Sequence, residues 1–194
     1  MRSIRMGSMF ALAFVAALVN APKVAFAQGA PAMVILVRHA EKATVGGNDP
    51  ALSGAGQLRA KALAQVIADA HVTAIITTTL KRTSETAEPF ANAHNITIEK
   101  VGLDGGTATH VSAIAAAVRR HAGEVVLVVG HSNTVPAIVN ALGGPKLADL
   151  CDASYATLFT LQPAKDGKTA NVVRSKYGAA DPDSAETCTT PMRF

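Results

Sequence analysis

The sequence predicts an α/β protein: a three-layer α/β/α sandwich with a mostly parallel central sheet. Three observations carry that expectation. The runs MVILV (33–37), TAIIT (73–77) and EVVLVV (124–129) are continuously or nearly continuously apolar, as strands covered on both faces are. Segments of helical length with one apolar face lie between them. Strands alternating with helices pair in parallel through right-handed crossovers.

Taken in order, the chain opens with Arg2 and Arg5, then an apolar stretch over residues 6–19, then Ala25-Phe26-Ala27. This is the pattern of a cleaved signal peptide over residues 1–27, and its apolar part falls short of the ~20 residues that span a bilayer. Export, to the periplasm or beyond, is therefore expected, with a single domain at 28–194; an uncleaved anchor is the alternative. After the first strand, residues 54–70 place Leu58, Ala62, Leu63, Val66, Ile67 and Ala70 on one helical face. Gln57, Arg59, Lys61 and Gln65 fall largely opposite, and Ser53 can cap the helix. The second strand is followed by a helix over 82–93 and a short edge strand over 95–100. A glycine-rich loop leads to a helix over 111–121. The strand at 124–129 feeds a helix over 134–142, closed by Gly143-Gly144-Pro145. Residues 155–161 and 170–175 read as a hairpin around Lys165-Asp166-Gly167, and 177–194 as an irregular polar tail.

Charge excludes some partners. Three of the 18 basic residues (Arg2, Arg5, Lys23) lie in the leader, which leaves 15 against 14 acidic residues. So even a balance gives no electrostatic footprint for nucleic acid or an anionic membrane surface. Cys151 and Cys188 are the two cysteines, and in an exported chain the pair reads as a disulfide tying the tail to the body. Nothing in their placement resembles a metal-ligand pair, and neither a metal nor another cofactor is expected.

Ligands of open α/β sheets bind beyond the carboxyl ends of the strands. Three polar clusters fall at such ends: Arg38-His39, Lys81-Arg82 and His131. Two histidines and two arginines converging on one crevice make an anion site. Phosphate suits it best, because guanidinium forks match its oxygens bidentately and a helix opening near Asn133 adds N–H donors.

The motifs resemble those of the histidine phosphatase superfamily, the phosphoglycerate mutase-like fold. VRHAEK, from Val37 to Lys42, is similar to the family's RHG/RHA signature. Leu52-Ser53-Gly54-Ala55-Gly56-Gln57 is similar to the element that opens its first helix, and Leu80 to Ala87 (LKRTSETA) to its second-arginine element. Val129-Gly130-His131-Ser132 is similar to its second-histidine element. The resemblance implies that His39 is a nucleophile forming a phosphohistidine that water hydrolyses. It implies that Arg38, Arg82 and His131 bind the phosphoryl oxygens, without a metal ion. Neutral imidazole is a competent nucleophile, and phosphoryl transfer asks mainly for positioning and positive charge.

The proton donor to the leaving group stays open between two carboxylates. Asp104, in GLDGGTATH, stands where the family usually places an acid, and Glu41 is its rival through nearness to His39. His110 follows the Asp104 loop and is a candidate for the pocket rim. His71, His94 and His121 sit at helix ends, where an imidazolium suits the dipole. Only 91 residues separate His39 from His131, too few for a mutase lid or an added α-domain. The expected substrate is a phosphomonoester or phosphoramidate on a small molecule, glycan or protein. Two rivals stand beside that reading: a non-catalytic phosphate- or phosphoglycan-binding module, and a metal-dependent hydrolase using His39 and His131 as ligands.

Overall fold

The computed structural model of the protein describes residues 30–164 and 169–183. The signal-peptide segment, the hairpin tip at Lys165-Asp166-Gly167 and Cys188 lie outside the described residues, and so does the expected pairing of Cys188 with Cys151. Among the described residues, strands β1 (Met33–Arg38), β2 (Val72–Thr78), β3 (Ile98–Val101), β4 (Val125–Gly130), β5 (Thr157–Gln162) and β6 (Asn171–Lys176) form one sheet. Helices α1 (Gly54–Val66), α2 (Lys81–His94), α3 (Gly106–Arg120) and α4 (Thr134–Ala141) cover it. The strand order is β3-β2-β4-β1-β5-β6. The first four of these are parallel, and β5 and β6 add an antiparallel edge.

Alternation of side chains along each strand divides the core between the two helical layers. Val34 and Leu36 of β1, with Val126 and Val128 of β4, meet Ile114 and Val118 of α3 and Val135 and Ile138 of α4. Ile35, Val37, Leu127 and Val129 point the other way, onto Leu63 of α1 and Ala87 and Phe90 of α2. Burial on both faces is why these strands are apolar without interruption. Each fully buried aliphatic side chain stabilises the fold by about 1.5–3 kcal/mol. Among the described residues, no helix is long and apolar enough to cross a membrane.

Two local expectations need correction. The face α1 turns inward is Gly56, Arg59, Ala60 and Leu63, whereas Leu58 and Val66 are 69% and 56% exposed. The helix is rolled toward the loop after β1 because Gly56 lets it approach that backbone closely. A β-carbon on Gly56 would stand 2.1 Å from the Glu41 carbonyl oxygen. The glycine-rich stretch before residue 111 is also not a long loop, since α3 already begins at Gly106. Its start is made possible by Gly105 and Gly106, both at φ +82°. The segment at 177–183 is irregular as expected, but it is tied down. Tyr177 is buried, and Arg59 donates to the carbonyls of Tyr177 and Ala179, each at 3.0 Å.

The Gly56 contact predicts an asymmetry between two glycines of one helix. Gly56→Ala should lower the unfolding free energy by about 1–3 kcal/mol through overpacking. Gly54→Ala, where nothing lies within 4 Å, should be neutral or stabilising by up to about 1 kcal/mol. Urea unfolding midpoints of the two variants check this.

Candidate active site

The parallel register of β1 and β4 builds the site. Arg38 pairs with Gly130, and the His39 amide continues the ladder by donating to the Gly130 carbonyl at 2.9 Å. The next residues on the two strands are His39 and His131, so neighbouring strands deliver the two imidazoles side by side. Their ring centroids are 5.3 Å apart at an interplanar angle of 64°. Gly130 permits the tight passage from β4 into α4, where the Thr134 hydroxyl accepts from the His131 amide at 2.9 Å. A β-carbon on Gly130 would stand 2.9 Å from that hydroxyl.

Arg38 is fully buried and held from one side. Its Nη1 donates to the carbonyls of Cys151 and Asp152, both at 2.8 Å, and of Ser154 at 3.3 Å. The Tyr155 ring lies 4.1 Å from the guanidinium carbon. Nε and Nη2 of Arg38 have no hydrogen-bond acceptor among the described residues; the Asp152 carboxylate stands 3.9 Å from Nη2. Arg82 enters from the first turn of α2. Its Nη1 is 3.9 Å from the Asp49 carboxylate, which also accepts from the Lys81 amide at 2.9 Å, and its Nε is buried without an acceptor among the described residues. Unmatched guanidinium donors at two strand ends favour a tetrahedral oxyanion, since a buried donor left unpaired is costly.

His39 is oriented by its own backbone. Nδ1 lies 2.7 Å from the Ala40 carbonyl, which can only accept, so Nδ1 carries the proton and Nε2 presents its lone pair. Burial first, then the charges of Arg38, His131 and Arg82, hold the His39 pKa well below the usual imidazole range. Burial and Arg82 likewise bring His131 down to about 3. An uncharged imidazole between two fixed cations can attack an electrophile that brings its own negative charge.

Residues 34–102 match the histidine phosphatase superfamily, branch 1. This superfamily segment carries Arg38, His39 and Arg82, while His131 lies beyond it. No curated protein matches the chain. Among solved structures, SixA from Agrobacterium tumefaciens is 24% identical, with a TM-score of 0.52 over 77% of this chain and 99% of that one. The protein histidine phosphatase SixA complexed with tungstate superposes with a TM-score of 0.59 at 15% identity, over 74% of this chain and 96% of that one. The mycobacterial glucosyl-3-phosphoglycerate phosphatase gives 0.57 at 15% identity, over 76% and 99%. These likenesses are of fold: α/β, phosphoglycerate mutase-like, as the motifs implied.

Other residues of the segments that resemble the family's motifs act as braces. In the LKRTSETA element, the Thr86 hydroxyl donates to the Arg82 carbonyl at 2.6 Å and accepts from the Ala40 amide at 2.9 Å. Glu85 accepts from the Leu52 amide at 2.6 Å. Glu41 is not delivered to the crevice. Both of its carboxylate oxygens take Arg59, at 2.8–3.0 Å, so its sequence neighbour His39 is not its partner. Burial alone would lower the Arg59 pKa, and the Glu41 hydrogen bonds and charge outweigh it. Asp104 is exposed in the turn before α3, its Oδ2 lying 3.1 Å from where a β-carbon on Gly102 would stand.

His110 is buried, with Nδ1 2.7 Å from the Gly102 carbonyl, and it lines a cavity of about 200 Å³ with Leu80, Leu103, Thr107, His131 and Thr134. His94 stacks on Phe90 at 4.1 Å, and His121 faces Glu124 at 3.3 Å. Among the described residues, no group of three or more His, Cys, Asp or Glu is arranged to hold a metal ion. The sequence reading missed Tyr155 and Asp49. Tyr155 looked like a strand residue, but β5 begins two positions later. A signal was available: the chain has only two tyrosines, and both rings lie over buried arginines, Tyr177 at 5.8 Å from Arg59.

Two predictions follow from these placements. Below pH 6.5 the unfolded chain protonates at His39 and His131 while the ligand-free fold does not, until about pH 3 at His131. Stability therefore falls with pH below 6.5, by up to about 1.4 kcal/mol per pH unit for each histidine. His131→Asn should flatten the slope of unfolding free energy between pH 6.5 and 4.5, measured in denaturant. Separately, Glu41→Gln should cost about 1–3 kcal/mol by loosening the Arg59 fork, read as a shift in the urea midpoint.

Proposed function

We propose that the protein is a phosphatase that cleaves a phosphomonoester or phosphoramidate through a phosphohistidine on His39. One observation carries the reading: a lone pair at His39 Nε2 beside buried Arg38 and Arg82 donors that have no acceptor among the described residues. In this mechanism the phosphoryl oxygens lie on Arg38, Arg82 and His131. Nε2 attacks phosphorus as the bond to the leaving oxygen or nitrogen breaks in line, and Nε2–P forms. Water then attacks phosphorus and returns the imidazole. The arginines supply the charge stabilisation that a metal ion would otherwise give, so turnover needs no metal. With Glu41 taken by Arg59, Asp104 is the carboxyl group proposed to protonate the leaving group. Its turn leads directly into α3, whose His110 lines a cavity together with His131.

The superfamily match and the phosphatase names of the solved structures of the same fold support the activity as a class. The signal-peptide pattern of residues 1–27 supports an exported, periplasmic or secreted enzyme acting on phosphorylated small molecules, glycans or proteins.

The test is turnover of an aryl phosphate by purified protein. His39→Ala should lower kcat/KM by about three orders of magnitude or more, and Arg82→Ala by about a hundredfold to a thousandfold. Vanadate should inhibit and a chelator should not. Equal rates for His39→Ala and the parent would remove the covalent mechanism. Phosphate binding without turnover would leave a binding module, and loss of activity with chelator would leave a metal-dependent hydrolase.

A further inference from the structure

We propose that His110 defines a second subsite, beside the phosphate clamp, that holds the organic part of the substrate and accepts a hydrogen bond from it. The inference rests on the phosphatase reading and names what the leaving group must look like. His110 stands in the second turn of α3 and is 1% exposed. Its Nδ1 donates to the Gly102 carbonyl at 2.7 Å, which fixes the ring; in the Nδ1–H tautomer Nε2 is an acceptor. Nε2 is buried without a hydrogen-bond partner among the described residues. Native folds rarely leave such a group unmatched, and those that remain need an explanation.

The cavity supplies one. His110 and His131 line the same space of about 200 Å³, and the His131 ring also stands 5.3 Å from that of His39. An occupant of the cavity is thus one side chain away from the phosphorus. Leu80 and Leu103 give it an apolar flank, and its polar lining is His110 together with Thr107, Thr134 and His131. The volume is below the roughly 300–1,000 Å³ usual for ligand sites, which excludes a nucleotide-sized group. The fitting class is a compact alkyl phosphate bearing a hydrogen-bond donor, such as a short polyol phosphate. Selectivity arises because an analogue without the donor leaves the buried Nε2 unmatched.

The experiment compares glycerol 2-phosphate with isopropyl phosphate, which differ only in hydroxyls. The parent should prefer the first by about tenfold to a hundredfold in kcat/KM. His110→Phe keeps a ring but no acceptor, and should bring the ratio close to one whatever its absolute rate. His110→Gln, which restores a polar atom near the Nε2 position, should recover part of the preference. A ratio unchanged in His110→Phe, or no preference in the parent, overturns the subsite. If the parent hydrolyses no phosphate ester, the phosphatase reading fails by itself. Calorimetry with 2-hydroxyethylphosphonate and ethylphosphonate then decides the subsite: a preference lost in His110→Phe supports it, and equal binding overturns it.

Discussion

The site depends on one constraint, the register between β1 and β4. These strands occupy the middle of the sheet, both faces of each are buried, and a slip of one residue would send every core side chain to the wrong layer. The register is therefore fixed by the whole core and not by the histidines. Once Arg38 is opposite Gly130, His39 and His131 must be neighbours. The core thereby sustains what would be unfavourable alone: two arginines and two imidazoles gathered with, among the described residues, no carboxylate closer than 3.9 Å to either guanidinium. Functional sites are where a fold departs from local optimality and offsets it elsewhere.

A second layer of interactions steadies the loops that meet at this crevice. Arg59 grips Glu41 on one side and the backbone after β6 on the other. Asp181, in that same segment, accepts from the amides of Tyr155 and Ala156 at 2.8 and 2.9 Å. Tyr155 lies on Arg38. A continuous path thus runs from the residue two past His39, through a buried arginine and the chain's last described segment, back to Arg38. The side chains that carry it, Glu41, Arg59, Asp181, Tyr155 and Arg38, are all polar or aromatic, and none has its partner nearby in sequence.

That last property decides what was legible in the sequence. The strands could be read because two-sided burial writes itself as uninterrupted hydrophobicity, and the polar residues at their ends could then be assigned to one crevice by topology. The roll of α1 could not. Pattern reading assumes that leucine and valine face inward and arginine outward. Here Arg59 is buried because Glu41, 18 residues earlier, meets it, and Leu58 gives way because Gly56 must touch backbone. The role of Glu41 was ambiguous for the same reason: nearness to His39 along the chain says nothing about a partner on the next helix. Tyr155 was hidden by strand propensity, which aromatic residues share whether they pack in a sheet or cover a charge.

The way Arg38 is held has a thermodynamic side. Three carbonyls on one nitrogen and an aromatic ring above the plane remove nearly all freedom from a long side chain. An exposed arginine would lose that freedom each time an anion arrived, at about 0.5–1.5 kcal/mol. Here the loss occurs once, when residues 151–155 close over the end of β1. For any anion that meets Arg38, the ordering cost falls on folding and not on binding. It is met by a loop outside residues 34–102, so a change at residues 151–155 can loosen Arg38 without touching the Ala40 carbonyl that orients His39.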